Sequence, residues 1–173
     1  DSKQFKASFK YIIQPDIYVV AARKDNKEIF IYYSLKNELG ANVPKPNFEE
    51  VKNQIFALTD CIDSGLVLSC HDIADGGIAS ALAEMTFRNS IGCNVNIESD
   101  LLPDKILFSE TGGFLLVVAP DKVNAVTFVF SKYGVDVFQI GSTGGNSIQI
   151  NGVVDLSVNE AKEAWTNGLR YIL

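Results

Sequence analysis

The residues best suited to chemistry are concentrated in one short stretch. It contains the single histidine of the chain, His71, followed by Asp72, Asp75 and the glycine pair Gly76-Gly77. An apolar run precedes the stretch and apolar residues recur at helical spacing after it, which predicts the order strand, acidic turn, glycine pair and helix. A helix start presents N–H groups and the positive end of the helix dipole to an anion, and glycines let a phosphate approach closely. Since carboxylates repel phosphate but hold Mg²⁺ that bridges to it, the stretch indicates a Mg-nucleotide site.

The same residues also fit a purely structural interpretation. D-G-G is an ordinary loop before a helix, with Asp75 as the N-cap, and neither standard phosphate-loop pattern is present. His71 either closes the strand or faces a ligand. A second acid, Glu110, precedes the pair Gly112-Gly113 and a continuous apolar run. It either projects into the same cleft as Asp72 or is a solvated loop acid, so these alternatives stay open.

Predicted helices and strands flank the stretch and position it. One helix begins at the N-cap Asn47, with Glu50 as a capping box, and ends at Gly65. It delivers a strand at residues 66–70, and the helix after the glycine pair is predicted to end near Asn89. The predicted apolar face of the first helix consists of Val51, Ile55, Leu58 and Ile62.

The second half of the chain alternates strands and helices. The apolar run 113–119 predicts a strand buried on both faces, and a further strand is predicted at residues 135–140, before a glycine-rich link. Asn151-Gly152 predicts a type I′ hairpin. Ser157 and Glu160 predict a capped final helix whose inner face includes Trp165 as a packing anchor.

The expected fold is an α/β (α+β) domain with a mixed β-sheet and helices packed on it. We expect one domain over residues 1–173, with a strand-rich lead-in at 1–46 and a core at 47–173. Within the lead-in, Tyr18–Ala21 and Ile29–Tyr33 are predicted to form a hairpin that feeds the sheet. The chain begins at Asp1 without an initiator methionine, which fits either a piece of a longer protein, as we expect, or processing of the chain.

A known family carries the same motif. The central segment resembles the H-D-x-S-D-G-G-L…A-L-A-E-M segment of phosphoribosylformylglycinamidine synthase, and an L-F-x-E segment leading into an apolar strand follows in the same order. The resemblance is specific from about Gly65 to the end and implies a fold like the C-terminal domain of aminoimidazole ribonucleotide (AIR) synthetase. The matching residues are His71-Asp72-Ile73-Ala74-Asp75-Gly76-Gly77-Ile78, Ala81-Leu82-Ala83-Glu84-Met85 and Leu107-Phe108-Ser109-Glu110.

The resemblance implies an ATP-dependent ligase of purine biosynthesis, which converts formylglycinamide ribonucleotide, ATP and glutamine to formylglycinamidine ribonucleotide. It implies Mg²⁺ and ATP or ADP as cofactors. It also implies an N-terminal synthetase domain and a glutaminase domain or subunit as partners. No catalytic residue is expected in this chain, so it alone should be inactive.

Site residues follow from the resemblance position by position. Asp72 matches the aspartate that faces Mg²⁺, and His71 and Glu110 are candidate site-facing residues. Ala74 stands where the family has serine, so only a backbone contact would survive there. The residues matched to nucleotide binding are Ala74, Asp75, Gly76 and Gly77.

Composition argues against two other classes of protein and indicates the compartment. A net charge of −6 argues against nucleic-acid binding through a basic face, and no apolar run is long enough to span a membrane. The cysteines Cys61, Cys70 and Cys93 are interpreted as buried reduced thiols, which indicates a cytoplasmic protein.

Two other functions remain open from the sequence. The chain could come from a sister enzyme of the same fold, namely AIR synthetase, selenophosphate synthetase or a hydrogenase maturation factor. Alternatively, it is a structural or dimerisation domain that binds nothing, an interpretation that Ala74 supports.

Overall fold

A computed structural model describes residues 17–22, 31–37 and 47–168. Within these residues, seven strands form one sheet in the order β2-β4-β1-β5-β3-β6-β7. The pairs of neighbouring strands are antiparallel except for β3 and β6, which are parallel. The expected mixed sheet is therefore confirmed. The strands are β1 Ile17–Ala22, β2 Ser69–Asp72, β3 Cys93–Val95, β4 Gly113–Val118, β5 Phe138–Thr143, β6 Ser147–Ile150 and β7 Val154–Ser157.

Helices cover both faces of this sheet. Helices α3, α4 and α6 contribute to the core on one face, and α2 and α5 contribute to the core on the other. The helices are α1 Ile31–Ser34, α2 Phe48–Asp63, α3 Gly77–Phe87, α4 Pro103–Phe108, α5 Val123–Lys132 and α6 Val158–Asn167, with a short 3-10 turn at Pro120–Lys122.

Strand β4 explains why both faces are covered. Leu115 and Val117 belong to the core beneath α3, whereas Leu116 and Val118 belong to the core beneath α2 and α5. All four residues have 0% of their surface exposed. Successive side chains of a strand point to opposite faces, so one apolar run needs two helical layers. The prediction of a strand buried on both sides is confirmed.

Local capping signals are confirmed at both ends of α2. The Asn47 side chain accepts a hydrogen bond of 3.3 Å from the Glu50 N–H. At the other end Gly65 has φ +66°, and the Leu66 N–H donates to the Cys61 carbonyl at 2.9 Å. This closing hydrogen bond is the Schellman arrangement, in which a left-handed glycine ends the helix.

The predicted apolar face of α2 was wrong, because the helix is rotated about its axis and buries a different set of residues. Only Leu58 of the predicted stripe is fully buried, and Ile55 is 45% exposed. The small residues Ala57 and Cys61 face the core instead, beside the buried Gln54. Small side chains on this face let α2 lie against α5, and a count of large apolar residues does not detect this.

The predicted hairpin in the lead-in was also wrong. Strand β1 contains Tyr18–Ala21 as expected, but it pairs with β4 and β5, and residues Ile31–Ser34 are helical. The residues that pair with β1 lie 91 to 125 positions further along the chain, so the runs next to β1 in the sequence did not indicate its partners. The division of the chain at residue 46 and the single-domain assignment stay predictions.

Two strand boundaries also differ from those predicted. Strand β2 occupies Ser69–Asp72 rather than 66–70, so His71 and Asp72 belong to the strand and not to the turn. Strand β5 begins at Phe138 and runs through Gly141 to Thr143, into the glycine-rich link. The remainder of that link joins β5 to β6, as expected.

The last hairpin and the last helix form as the sequence predicts, with one exception. Asn151 and Gly152 both have positive φ, at 52° and 65°, between the antiparallel strands β6 and β7. Ser157 and Glu160 form a reciprocal capping box at α6. However, Trp165 is 63% exposed and contacts Phe87 with ring centroids 5.6 Å apart, so it is not the predicted buried anchor. Helix α6 meets the core through Val158 and Ala161, which lie near its start, whereas Trp165 lies in its second half.

None of the helices in the described part of the chain has both the length and the hydrophobicity needed to cross a membrane.

Candidate functional site

The candidate site lies where the edge strand β2 ends and α3 begins. His71 pairs with Leu115 and Asp72 with Phe114 across the antiparallel ladder to β4. The Ile73 N–H extends this ladder by donating to the Gly113 carbonyl at 2.9 Å. The chain then turns through a short loop into α3, and the His71 side chain contacts Glu84 in the second half of that helix.

His71 is held between two acidic residues. Its Nε2 lies 3.1 Å from Oε2 of Glu84 on α3, and its Nδ1 lies 2.7 Å from the Asp72 carbonyl oxygen and 3.4 Å from Asp72 Oδ1. All three oxygens act as acceptors, so both hydrogen bonds form together only when both ring nitrogens carry hydrogen.

Sequence analysis did not single out Glu84. It was matched only as part of the A-L-A-E-M helix of the resembling family. Its position in the sequence could have marked Glu84 as a candidate. It is a charged residue on the helix that must cover β2, two positions after the fully buried Leu82. Only the packing of α3 on β2 pairs this carboxylate with His71.

The structure brings Glu110 to the start of α3. Gly76 is the N-cap in a left-handed conformation, with φ +78°, and its N–H donates to Glu110 Oε1 at 2.9 Å. Asp75 is therefore not the cap, which corrects the structural interpretation of the D-G-G loop. A carboxylate from 34 positions along the chain supplies the negative charge that a helix start favours.

Gly77 has a packing role of its own. It has φ +66°, and a Cβ atom there would lie 2.6 Å from the Leu107 carbonyl oxygen and 2.7 Å from backbone atoms of Phe108. The glycine lets the start of α3 cross the end of α4 at backbone contact distance. Its N–H donates to the Ala74 carbonyl at 3.0 Å, and Ala74 and Asp75 themselves are exposed.

The metal-binding side chains described here fit a magnesium ion that is also bound by phosphates and waters, rather than a metal site made by this chain alone. The Asp72 side chain is 64% exposed, so its carboxylate is accessible. Across residues 17–22, 31–37 and 47–168, no group of three or more His, Cys, Asp or Glu side chains is arranged to hold a metal. Mg²⁺ in nucleotide sites is commonly bound by one or two carboxylates together with phosphates and waters. Asp72 could supply the one carboxylate that is the minimum for such a coordination shell.

The cysteine prediction needs one correction. Cys61 and Cys93 are buried as expected, and burial raises the pKa of each thiol to about 11. Cys70 is exposed, on the face of β2 opposite to His71. Partial loss of solvent and, second, the Asp72 carboxylate raise the pKa of Cys70 as well. A strand at the sheet edge has too little cover to bury this thiol.

The family model described as AIR synthase related protein, C-terminal domain, matches residues 18–151. The chain belongs to this family. Among curated members, phosphoribosylformylglycinamidine synthase subunit PurL of Methanothrix thermoacetophila is 32% identical over 161 residues, 89% of this chain and 21% of that protein. The same subunit of Thermoplasma volcanium is 34% identical over 160 residues, 88% of this chain and 21% of that protein. The chain thus spans about a fifth of the length of these relatives.

Solved members of the AIR synthase-related family have the same fold. Thermotoga maritima PurL complexed with ATP matches with a TM-score of 0.68 and 18% identity over 86% of this chain and 25% of that chain. T. maritima PurL complexed with FGAR gives a TM-score of 0.68 and 20% identity over 86% of this chain and 28% of that chain. The expected AIR synthetase-like fold and the resemblance to phosphoribosylformylglycinamidine synthase are both confirmed.

Proposed function

We propose that this chain is the C-terminal domain of a phosphoribosylformylglycinamidine synthase, a ligase of purine biosynthesis. The observation that carries the proposal is its identity of 32–34% to PurL subunits over 88–89% of the chain. Sister enzymes of the same fold are not favoured, because the curated relatives over this length are PurL subunits. The substrates of the whole enzyme would be formylglycinamide ribonucleotide, ATP and glutamine as the nitrogen donor.

The contribution of this domain would be one wall of a Mg-nucleotide site. Asp72 is exposed at the end of β2 and would hold Mg²⁺ that bridges to the nucleotide phosphates. The metal would supply positive charge to the transferring phosphoryl group. The structures of T. maritima PurL with ATP and with ADP support a nucleotide as the ligand.

The residues Ala74 to Gly77 would contact the nucleotide in a restricted way. The Gly76 N–H is already bonded to Glu110 and the Gly77 N–H to Ala74. A phosphate would therefore meet this loop through Mg²⁺ on Asp72, or would have to replace the carboxylate of Glu110. Ala74 and Asp75 are exposed and would contact the nucleotide from the loop surface.

Other parts of the protein would complete the enzyme. An N-terminal synthetase domain would supply most nucleotide and substrate ligands, and a glutaminase domain or subunit would supply ammonia. The structure of PurLQS from T. maritima, which matches with a TM-score of 0.67, supports an assembly of several components. This domain alone would be inactive. Its three free cysteines support a reducing, cytoplasmic location.

The experiment is a calorimetric titration of the full protein with Mg-ADP, comparing wild type with Asp72→Asn. We expect on the order of tenfold weaker Mg-ADP binding, because the amide loses the charge that holds the metal. Asp63→Asn is the matched control, since Asp63 is an exposed acid at the end of α2, and it should leave affinity unchanged. Equal affinity of Asp72→Asn and wild type would favour the structural or dimerisation domain that binds nothing.

A further inference from the structure

We propose that Glu84 is a positioning residue that orients Asp72 for the metal through the imidazole ring of His71. The inference rests on the proposed Mg-nucleotide site and assigns that site a residue outside the metal shell. It concerns three side chains from two elements, β2 and α3, which the fold brings together at the sheet edge.

The first step is the hydrogen bond between the elements. Glu84 lies on α3, and its Oε2 is 3.1 Å from His71 Nε2. Both side chains are partly covered, with 31% of His71 and 37% of Glu84 exposed. This contact fixes the plane of the ring relative to α3, because a hydrogen bond to a ring nitrogen requires the acceptor near the ring plane.

The second step passes that orientation to Asp72. The opposite nitrogen, Nδ1, lies 2.7 Å from the Asp72 carbonyl oxygen and 3.4 Å from Asp72 Oδ1. The ring thereby holds the Asp72 backbone by a hydrogen bond at the point where the chain leaves β2, and its Nδ1 lies close to the Asp72 carboxylate. Without it, the largely exposed carboxylate would sample several rotamers.

The third step is the consequence for binding. A ligand group that is held in its binding orientation loses less conformational freedom when the metal arrives. Partners of this kind, one hydrogen bond removed from a metal ligand, commonly change metal affinity by about tenfold or more when they are removed. Because Asp72 is exposed and the described residues form no cluster of metal ligands around it, we expect an effect near the lower end of that range.

The test uses the full protein and measures ADP affinity with and without Mg²⁺ for Glu84→Ala and Glu84→Gln. We expect Glu84→Ala to weaken Mg-ADP binding by about threefold to tenfold. Glu84→Gln should retain most of the affinity, because its amide oxygen still accepts a hydrogen bond from Nε2. Affinity for metal-free ADP should be unchanged in both variants. Glu163→Ala, at an exposed position on α6, is the control and should match wild type throughout.

Two results would overturn the inference. In the first, Glu84→Ala binds Mg-ADP as tightly as wild type while Asp72→Asn binds it more weakly. The metal site would then exist, but Glu84 would not contribute to it. Equal losses for Mg-ADP and metal-free ADP would show a general structural effect of Glu84. The proposed function fails separately, and takes this inference with it, if Asp72→Asn itself leaves Mg-ADP affinity unchanged.

Discussion

The starts of α3 and α6 are both bonded to a side chain, but the side chain at α6 is local whereas the one at α3 comes from a distant part of the chain. At α6, Ser157 and Glu160 cap the helix within four residues, through a hydroxyl and a carboxylate that bond each other's backbone N–H groups. At α3, no side chain from the adjoining sequence caps the helix, and Gly76 is bonded instead to Glu110 from a distant loop. A local cap stabilises a helix by itself, whereas the distant cap ties α3 to the loop before β4.

The difference matters because α3 begins at the candidate site. A side chain at position 76, the N-cap of α3, would meet the Ser80 side chain one turn into the helix. The glycine pair leaves the loop without such a side chain, and its stability comes from Glu110 and from contact with α4. We infer that the start of α3 depends on its tertiary surroundings and that the start of α6 does not.

The largest effect is expected from Gly77→Ala. Its Cβ would lie 2.6 Å from the Leu107 carbonyl oxygen, and the backbone has φ +66°. The clash and the left-handed conformation together should lower the free energy of unfolding by about 3 kcal/mol, measured by urea denaturation. Gly65→Ala is the matched control, because Gly65 has the same φ and no atom within 4 Å of the added carbon. It should cost only about 1 kcal/mol. Equal losses at the two glycines would contradict the role given to contact with α4.

The next largest effect is expected from Glu110→Ala. The Gly76 N–H would lose its acceptor and the helix start its nearby negative charge, which should lower the free energy of unfolding by about 1.5 kcal/mol. The change should also speed hydrogen exchange at the Gly76 amide, which mass spectrometry of the 71–80 peptide can detect. Glu98→Ala, at an exposed loop position, should change neither quantity. Unchanged exchange at Gly76 would show that Glu110 does not cap α3.

A smaller and more local effect is expected from Ser157→Ala. Loss of the hydroxyl that accepts from the Glu160 N–H should lower the free energy of unfolding by about 1 kcal/mol. Exchange should speed at the first turn of α6 and remain unchanged at the start of α3. Faster exchange at α3 in this variant would mean that the two helix starts are coupled, against the contrast drawn above.

The smallest effect is a pH dependence of the α6 cap. Hydrogen bonds from the Ser157 hydroxyl and N–H hold the pKa of the Glu160 carboxyl below its ordinary value. A depressed carboxyl pKa contributes stability above the unfolded pKa and loses it as the pH falls through the folded pKa. The stability difference between wild type and Glu160→Gln should therefore be constant near neutral pH and shrink below about pH 4. A difference that stays constant down to pH 2 would exclude the ionised carboxylate as the source.

Those parts of the fold that depend on adjacent residues could be predicted from the sequence. The caps at Asn47 and Ser157 and the turn at Asn151-Gly152 were all found, since each signal lies within a few positions. The place of β1 between β4 and β5 was not found, because its partners are far away in the chain. Nor was the surface position of Trp165, because which residues of α6 are buried depends on how the helix packs on the core.

The candidate site likewise has residues that could be predicted from local sequence and contacts that could not. Asp72 and His71 could be singled out from their residue types and their place after an apolar run, although their strand was assigned two to three residues too early. The partners of these residues, Glu84 and Glu110, depend on how α3 and the β4 loop pack. A family motif indicated Glu110, whereas no local pattern indicated the contact of Glu84 with His71.

The most direct test of the central claim is a structure of the full protein with Mg-ADP bound. The account predicts a carboxylate oxygen of Asp72 about 2.1 Å from Mg²⁺, the ordinary distance for this ion. It also predicts that His71 remains bonded to Glu84 in that structure. A metal held entirely by other residues, with Asp72 directed to solvent, would contradict the proposed role of this domain in the nucleotide site.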